Sequence, residues 1–238
     1  MSSSQNVQAD TDKHEVVIDL EGARLEGTLA LPEGAQGLAI FAHGSGSSRH
    51  SPRNRFVAEV LQSHRIGTLL FDLLTSKEES IDQFTAELRF NIPFLAKRLL
   101  GATEWVIKSP ETEHLKIGYF GASTGAAAAL VAAADLPGVI SAVVSRGGRP
   151  DLAAGALESV RAATLLIVGG NDEPVITMNR QALERLQCRE KKLVIIPGAT
   201  HLFEERGTLE KVARLAAGWF IRHFQPVVIL QARATSRN

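Results

Sequence analysis

The chain opens with two stretches in which apolar and polar residues alternate, His14 to Leu20 and Leu25 to Leu31, separated by Glu21 and Gly22. A two-residue period places apolar side chains on one face of a strand, and the Glu-Gly pair supplies a turn, so this pattern predicts an antiparallel hairpin. The pattern then changes to short unbroken apolar runs at Leu38 to Ala42, Thr68 to Leu73, Leu115 to Phe120, Val139 to Val144, Thr164 to Val168 and Leu193 to Ile196. Such runs predict strands buried on both faces. Helical periodicity fills the intervals, at Arg53 to His64, Ile81 to Leu100, Thr124 to Ala134, Ile176 to Gln187 and Leu209 to Phe224. Strand and helix in alternation predict an α/β architecture, a mostly parallel twisted sheet behind an N-terminal antiparallel hairpin, with helices on both faces. Between Ser145 and Arg161 there is room for one short helix but not for a lid domain.

The same patterning divides the chain into a polar, flexible N-terminal arm (1–14), one domain (15–224) and a C-terminal tail (225–238) with a brief apolar run, Val227 to Leu230. With 238 residues, 45% of them hydrophobic, the chain is long enough to bury a full core. Its 26 basic residues balance its 26 acidic ones, so no overall field draws it to nucleic acid or to an anionic membrane. A small-molecule substrate fits better. Cys188 is the one cysteine and has no disulfide partner, the first residues lack the apolar run of a signal peptide, and no stretch reaches membrane-span length. These features predict a cytoplasmic location with neither nucleic-acid nor membrane partners, and they are compatible with a homodimer. No histidine or acidic spacing suggests a metal, and no cofactor is expected.

Candidate chemistry centres on Gly121, Ala122, Ser123, Thr124 and Gly125, a G-x-S-x-G pentapeptide between an apolar run and an alanine-rich helix. A serine on a sharp strand-to-helix turn takes a strained backbone conformation and needs small neighbours, which Gly121 and Gly125 provide. Ligands of an open parallel sheet bind outside the carboxyl ends of its strands, so residues just after each strand meet on one face. Asp172 follows the run ending at Val168, and His201 follows the run ending at Ile196. The order Ser123, Asp172, His201 is that of a nucleophile elbow with its acid and base. His201 would take the serine proton and Asp172 would fix the imidazole tautomer, with Glu173 or Asp151 as alternative acids.

The loop from His43 to Ser48 follows another strand on the same face, and the backbone N–H groups of Ser45 and Thr124 are the expected donors to a tetrahedral oxyanion. Gly44-Ser45-Gly46 also opens a dinucleotide fingerprint, but Arg49 stands where its third glycine belongs. Arg146 and Arg149 follow the run Val139 to Val144, where they would contact an anionic substrate group or, alternatively, pair with Asp151 or Glu158. Arg49, Arg53 and Arg55, near a helix start, read as solvated surface.

On these residues the chain resembles the α/β-hydrolase superfamily, and within it the compact, lidless dienelactone-hydrolase-like group. The resemblance runs from about Val16 to Phe224 and is most specific at His43 to Ser48, Gly118 to Gly125, Gly169 to Val175 and Pro197 to Glu205. It implies an α/β-hydrolase fold and a hydrolase. True dienelactone hydrolases carry a cysteine at the elbow, and Ser123 departs from that, favouring ordinary ester chemistry. The expected activity is hydrolysis of small carboxylic esters through an acyl-enzyme. Alternatives are a thioesterase, lactonase or acyltransferase using the same triad, or a non-catalytic binding protein on this fold.

Overall fold

In the computed structural model, residues 11–153 and 155–225 are described. They form one eight-stranded sheet in the order β1-β2-β4-β3-β5-β6-β7-β8, built from Thr11–Leu20, Ala23–Pro32, Gly67–Phe71, Gly37–Ala42, Lys116–Ala122, Ile140–Arg146, Ala163–Gly169 and Lys191–Ile196. The hairpin expected from the alternation is β1 and β2, in antiparallel register from Thr11 opposite Pro32 to Leu20 opposite Ala23. The first strand starts earlier than the apolar pattern indicated. Residues 11–14, expected in the arm, are paired against residues 29–32, where backbone hydrogen bonding does not require apolar side chains. Residues 1–10, and the apolar run from Val227 to Leu230 in the tail, lie outside the described residues. The strand β2 pairs antiparallel with β4, and the remaining pairings from β4 to β8 are parallel. This is the α/β-hydrolase fold.

Two apolar clusters cover the faces of the sheet. On one side α1 (Pro52–Ser63) and α6 (Thr208–Phe224) pack over Phe41, Phe120 and Ile167, with Phe220 fully buried. On the other, α3 (Ile92–Lys108), α4 (Thr124–Asp135) and α5 (Glu173–Arg185) cover Leu38, Ile40, Tyr119 and Val143. Burying each side chain of this size contributes about 1.5–3 kcal/mol, which explains why the central strands read as unbroken apolar runs. The last strand, β8, is an exception. It pairs only with β7, and its side chains from Lys191 to Ile195 are exposed or half-buried because it forms the edge of the sheet.

A single helix was expected from Ile81 to Leu100, but the chain forms two, α2 (Ser76–Thr85) and α3. The first ends at Ala86, whose φ of 56° is left-handed, and the second restarts at Asn91, whose side chain accepts the Phe94 N–H. Pro93 lies in the new first turn, where its missing N–H costs nothing; in a continuous helix it would break the ladder. The buried Asp82 carboxylate secures the break by accepting the Leu88 N–H at 2.6 Å and Arg89 Nε at 2.6 Å. After β6 come two 3-10 turns, Pro150–Ala153 and Leu157–Ser159, and no lid is formed among the described residues. No described helix is long and apolar enough to cross a membrane.

Candidate active site

The parallel strands bring their carboxyl ends to one edge of the sheet, and the site is assembled there. Ser123 follows β5 directly and has φ 50° and ψ −119°, a conformation that a non-glycine residue holds at a cost of about 1–3 kcal/mol. The surrounding backbone holds it in place. Its N–H donates to the Arg146 carbonyl at 3.2 Å, and its carbonyl accepts the Arg149 N–H at 3.2 Å. A Cβ at Gly121 would overlap the Cα of Ala126, and one at Gly125 would overlap the carbonyl oxygens of Ala42 and His43. Both glycines are therefore required by close approach of backbone, as their small size suggested. Although Ser123 occupies the N-cap position of α4, its side chain makes no capping bond, so its hydroxyl is not committed to the helix.

Asp172 and His201 come from neighbouring strands and are tied to each other before any substrate arrives. The Gly170 N–H donates to the Ile196 carbonyl at 2.8 Å, the Asn171 N–H to the Ala199 carbonyl at 2.9 Å, and Asn171 Nδ2 to the Gly198 carbonyl at 3.1 Å. A side chain at Gly169 would overlap the Ala199 and Thr200 carbonyls, so this loop pairing also depends on a glycine. Phe203, buried beneath the loop with a left-handed φ of 56°, turns the chain after His201. His201 Nδ1 lies 2.7 Å from Asp172 Oδ2. A carboxylate there makes Nδ1 the donor and leaves the Nε2 lone pair available. His201 and Ser123 line one cavity of about 210 Å³, together with Ser45, Arg53 and Arg146.

The oxyanion loop departs from expectation in one respect. The Ser45 N–H, expected to be open toward substrate, donates to Thr124 Oγ1 at 2.9 Å. Thr124 is buried, and its hydroxyl ties the start of α4 to the loop after β3. Sequence alone could place the two backbone donors but not this side-chain contact. His43 braces the same loop: its ring Nδ1 lies 3.0 Å from the Gly44 carbonyl and its Nε2 accepts the Leu73 N–H at 3.1 Å. Both bonds require a neutral ring protonated at Nδ1. Burial accordingly lowers the His43 pKa below the ordinary histidine value of 6.5, against the weaker upward pull of Gly44, Asp72 and Glu79.

Because the folded pKa is depressed, the unfolded chain binds the extra proton first, so stability from neutral His43 is complete above pH 6.5 and declines as pH falls below it. Wild-type melting temperature is expected to drop between pH 7 and pH 5, with a shallower decline in His43→Gln. Equal slopes in thermal denaturation across that range would contradict this account.

The arginines after β6 take different roles. Of the two roles open to Arg149, an anion contact or an ion pair with Asp151 or Glu158, the structure shows the pair with Asp151, at 2.9 and 2.7 Å, which raises the Arg149 pKa and lowers that of Asp151. The two side chains lie two residues apart on one turn, close enough to neutralise each other locally. Arg146 reaches the cavity with Nε and Nη1 buried and without hydrogen-bond partners. Arg49 and Arg53 are not solvated surface either. Arg49 is held by Asp72 and by Glu26 at 2.7 Å, and Arg53 lines the cavity while Nη1 pairs outward with Glu204 at 3.2 Å. The signal for Arg53 was its place in the first turn after Ser51 and Pro52, on the ligand side of the sheet.

The family model for dienelactone hydrolases matches residues 69–224, a stretch that contains Ser123, Asp172 and His201. The chain belongs to the dienelactone hydrolase family. A crystal structure of dienelactone hydrolase from Anabaena variabilis is 59% identical, covers 90% of this chain and 99% of its own, and superposes with a TM-score of 0.89. Est1E from Butyrivibrio proteoclasticus shares the fold at 17% identity and a TM-score of 0.72, covering 88% of this chain and 98% of its own. Two Mycobacterium tuberculosis proteins, provisionally named phosphoribosyl transferases, are 57% identical over 197 residues, which is 83% of this chain and 43% of theirs. This family member therefore spans less than half the length of those curated relatives.

Proposed function

We propose that this family member is a serine hydrolase that cleaves small carboxylic esters through an acyl-enzyme, with Ser123 as nucleophile, His201 as base and Asp172 as orienting acid. The observation that carries the reading is the 2.7 Å bond from Asp172 to His201, whose ring lines the same cavity as the strained elbow serine. The Ser123 hydroxyl attacks the ester carbonyl while His201 Nε2 takes its proton. The same proton then goes to the departing alcohol, and a water repeats the sequence on the acyl-enzyme. The Thr124 N–H at the start of α4 and the Ser45 N–H receive the developing negative oxygen. In the resting site the Thr124 hydroxyl keeps the Ser45 donor aimed, and the oxyanion displaces it because a charged acceptor makes the stronger bond.

Labelling with a fluorophosphonate, followed by turnover on an ester panel, tests the reading; an unlabelled, inactive protein would point to a binding role. The panel carries a second expectation. A lidless cavity of about 210 Å³ gives a long acyl chain little apolar surface to bury. Acetyl to butyryl esters are therefore expected to show the highest kcat/KM, and a steady rise to dodecanoyl esters would refute a short pocket.

A further inference from the structure

Arg146 is the feature of the cavity that ester hydrolysis does not require. Its Nε and Nη1 are buried without partners, although a buried guanidinium that lacks them loses the hydration of its charge and recovers nothing. Burial and the neighbouring positive charge of Arg53 lower its pKa to about 10, so it still carries its proton at neutral pH. Arg53 adds to the mismatch, since its Nε is also buried and unpartnered and its one carboxylate, Glu204, lies on the outer side. The rest of the lining includes four serines, Ser45, Ser47, Ser51 and Ser123, and no acidic residue. Ser51 caps α1 and Thr124 begins α4, so the positive ends of two helices border the same space. Two like charges side by side in a partly dry pocket destabilise the empty protein, and a bound anion removes that penalty.

We infer that the cavity seats a phosphate group carried by the natural ester, with Arg146 and Arg53 as its charge partners. A carboxylate is planar and is satisfied by a single guanidinium fork. Here the donors come from β6, α1 and the loop after β3, and so surround the cavity from several directions, which suits a tetrahedral dianion. The inference takes its substrate from the ester-hydrolase reading, but the binding site itself can be tested without turnover.

The test uses the full chain as Ser123→Ala, melted in inorganic phosphate, acetate or chloride at matched ionic strength, with and without Arg146→Met. Phosphate is expected to raise the melting temperature above chloride, and acetate much less. Arg146→Met is expected to weaken phosphate binding roughly tenfold to a hundredfold and, by removing a buried unpaired charge, to leave the empty protein at least as stable. Arg53→Gln, at a more exposed position, serves if the first variant does not fold, and is expected to weaken phosphate in the same direction. In the active enzyme, a short acyl ester bearing a phosphate monoester should exceed its neutral analogue in kcat/KM by a similar factor. Stabilisation by phosphate no greater than by chloride, equal stabilisation by acetate, or phosphate affinity unchanged in the arginine variants would each overturn the inference. An enzyme that turns over neutral esters but ignores phosphate loses only this inference. One that binds phosphate but resists the fluorophosphonate loses only the hydrolase assignment.

Discussion

Ser123→Ala is expected to lose fluorophosphonate labelling and to fall by roughly 10³-fold or more in kcat on an activated ester, with the circular-dichroism spectrum unchanged. The size of the loss follows from the proposed triad mechanism. Without the hydroxyl, His201 and Asp172 have nothing to activate, and only binding and oxyanion donors remain. The fold should not suffer, because alanine keeps the backbone bonds from Ser123 to Arg146 and Arg149, and the side chain makes no capping bond that could be lost. Labelling that persists in the variant would assign the nucleophile elsewhere, and unchanged turnover would remove the serine mechanism altogether.

Asp172→Asn should be nearly as damaging, about 10⁴-fold in kcat, the magnitude expected when the orienting carboxylate of a triad becomes an amide. The amide can offer an N–H to Nδ1, which would place the imidazole proton on Nε2, the atom that must accept from serine. Substrate binding should be nearly untouched, so KM is expected to hold while kcat falls. Asp151→Asn is the matched control. Asp151 was an alternative acid by sequence, but it is committed to Arg149, and its replacement should leave kcat alone. Equal losses in the two variants would show that neither carboxylate has a specific role.

How far the chain could be read depended on whether a feature was local. The elbow needs five consecutive residues, and the Asp172 and His201 loops each follow a strand, so periodicity and the strand-end rule were enough to bring them together. The hairpin and the parallel core were legible for the same reason. What escaped the reading was decided by partners distant in the chain. Asp151 lies two residues from Arg149 and was a visible partner, whereas nothing local shows that Arg146 reaches the cavity unpaired. Arg53 and Arg49 read as surface because their surroundings come from α6-side loops, β2 and β4. The Thr124 hydroxyl on Ser45 spans 79 residues. The break between α2 and α3 is a closer miss, since Pro93 was visible; the apolar period simply ran on across it.

The stretch from Arg146 to Arg149 holds the strained serine at both its N–H and its carbonyl, and Gly147 within it lies against the His201 ring, where an added Cβ would come within 3.4 Å of Nδ1. An engineer wishing to graft a cover or a reporter domain onto this scaffold cannot splice it directly after β6 without loosening Ser123 and His201 together. Exposed Gly155, which has open space around it, is the insertion point that leaves that clasp intact.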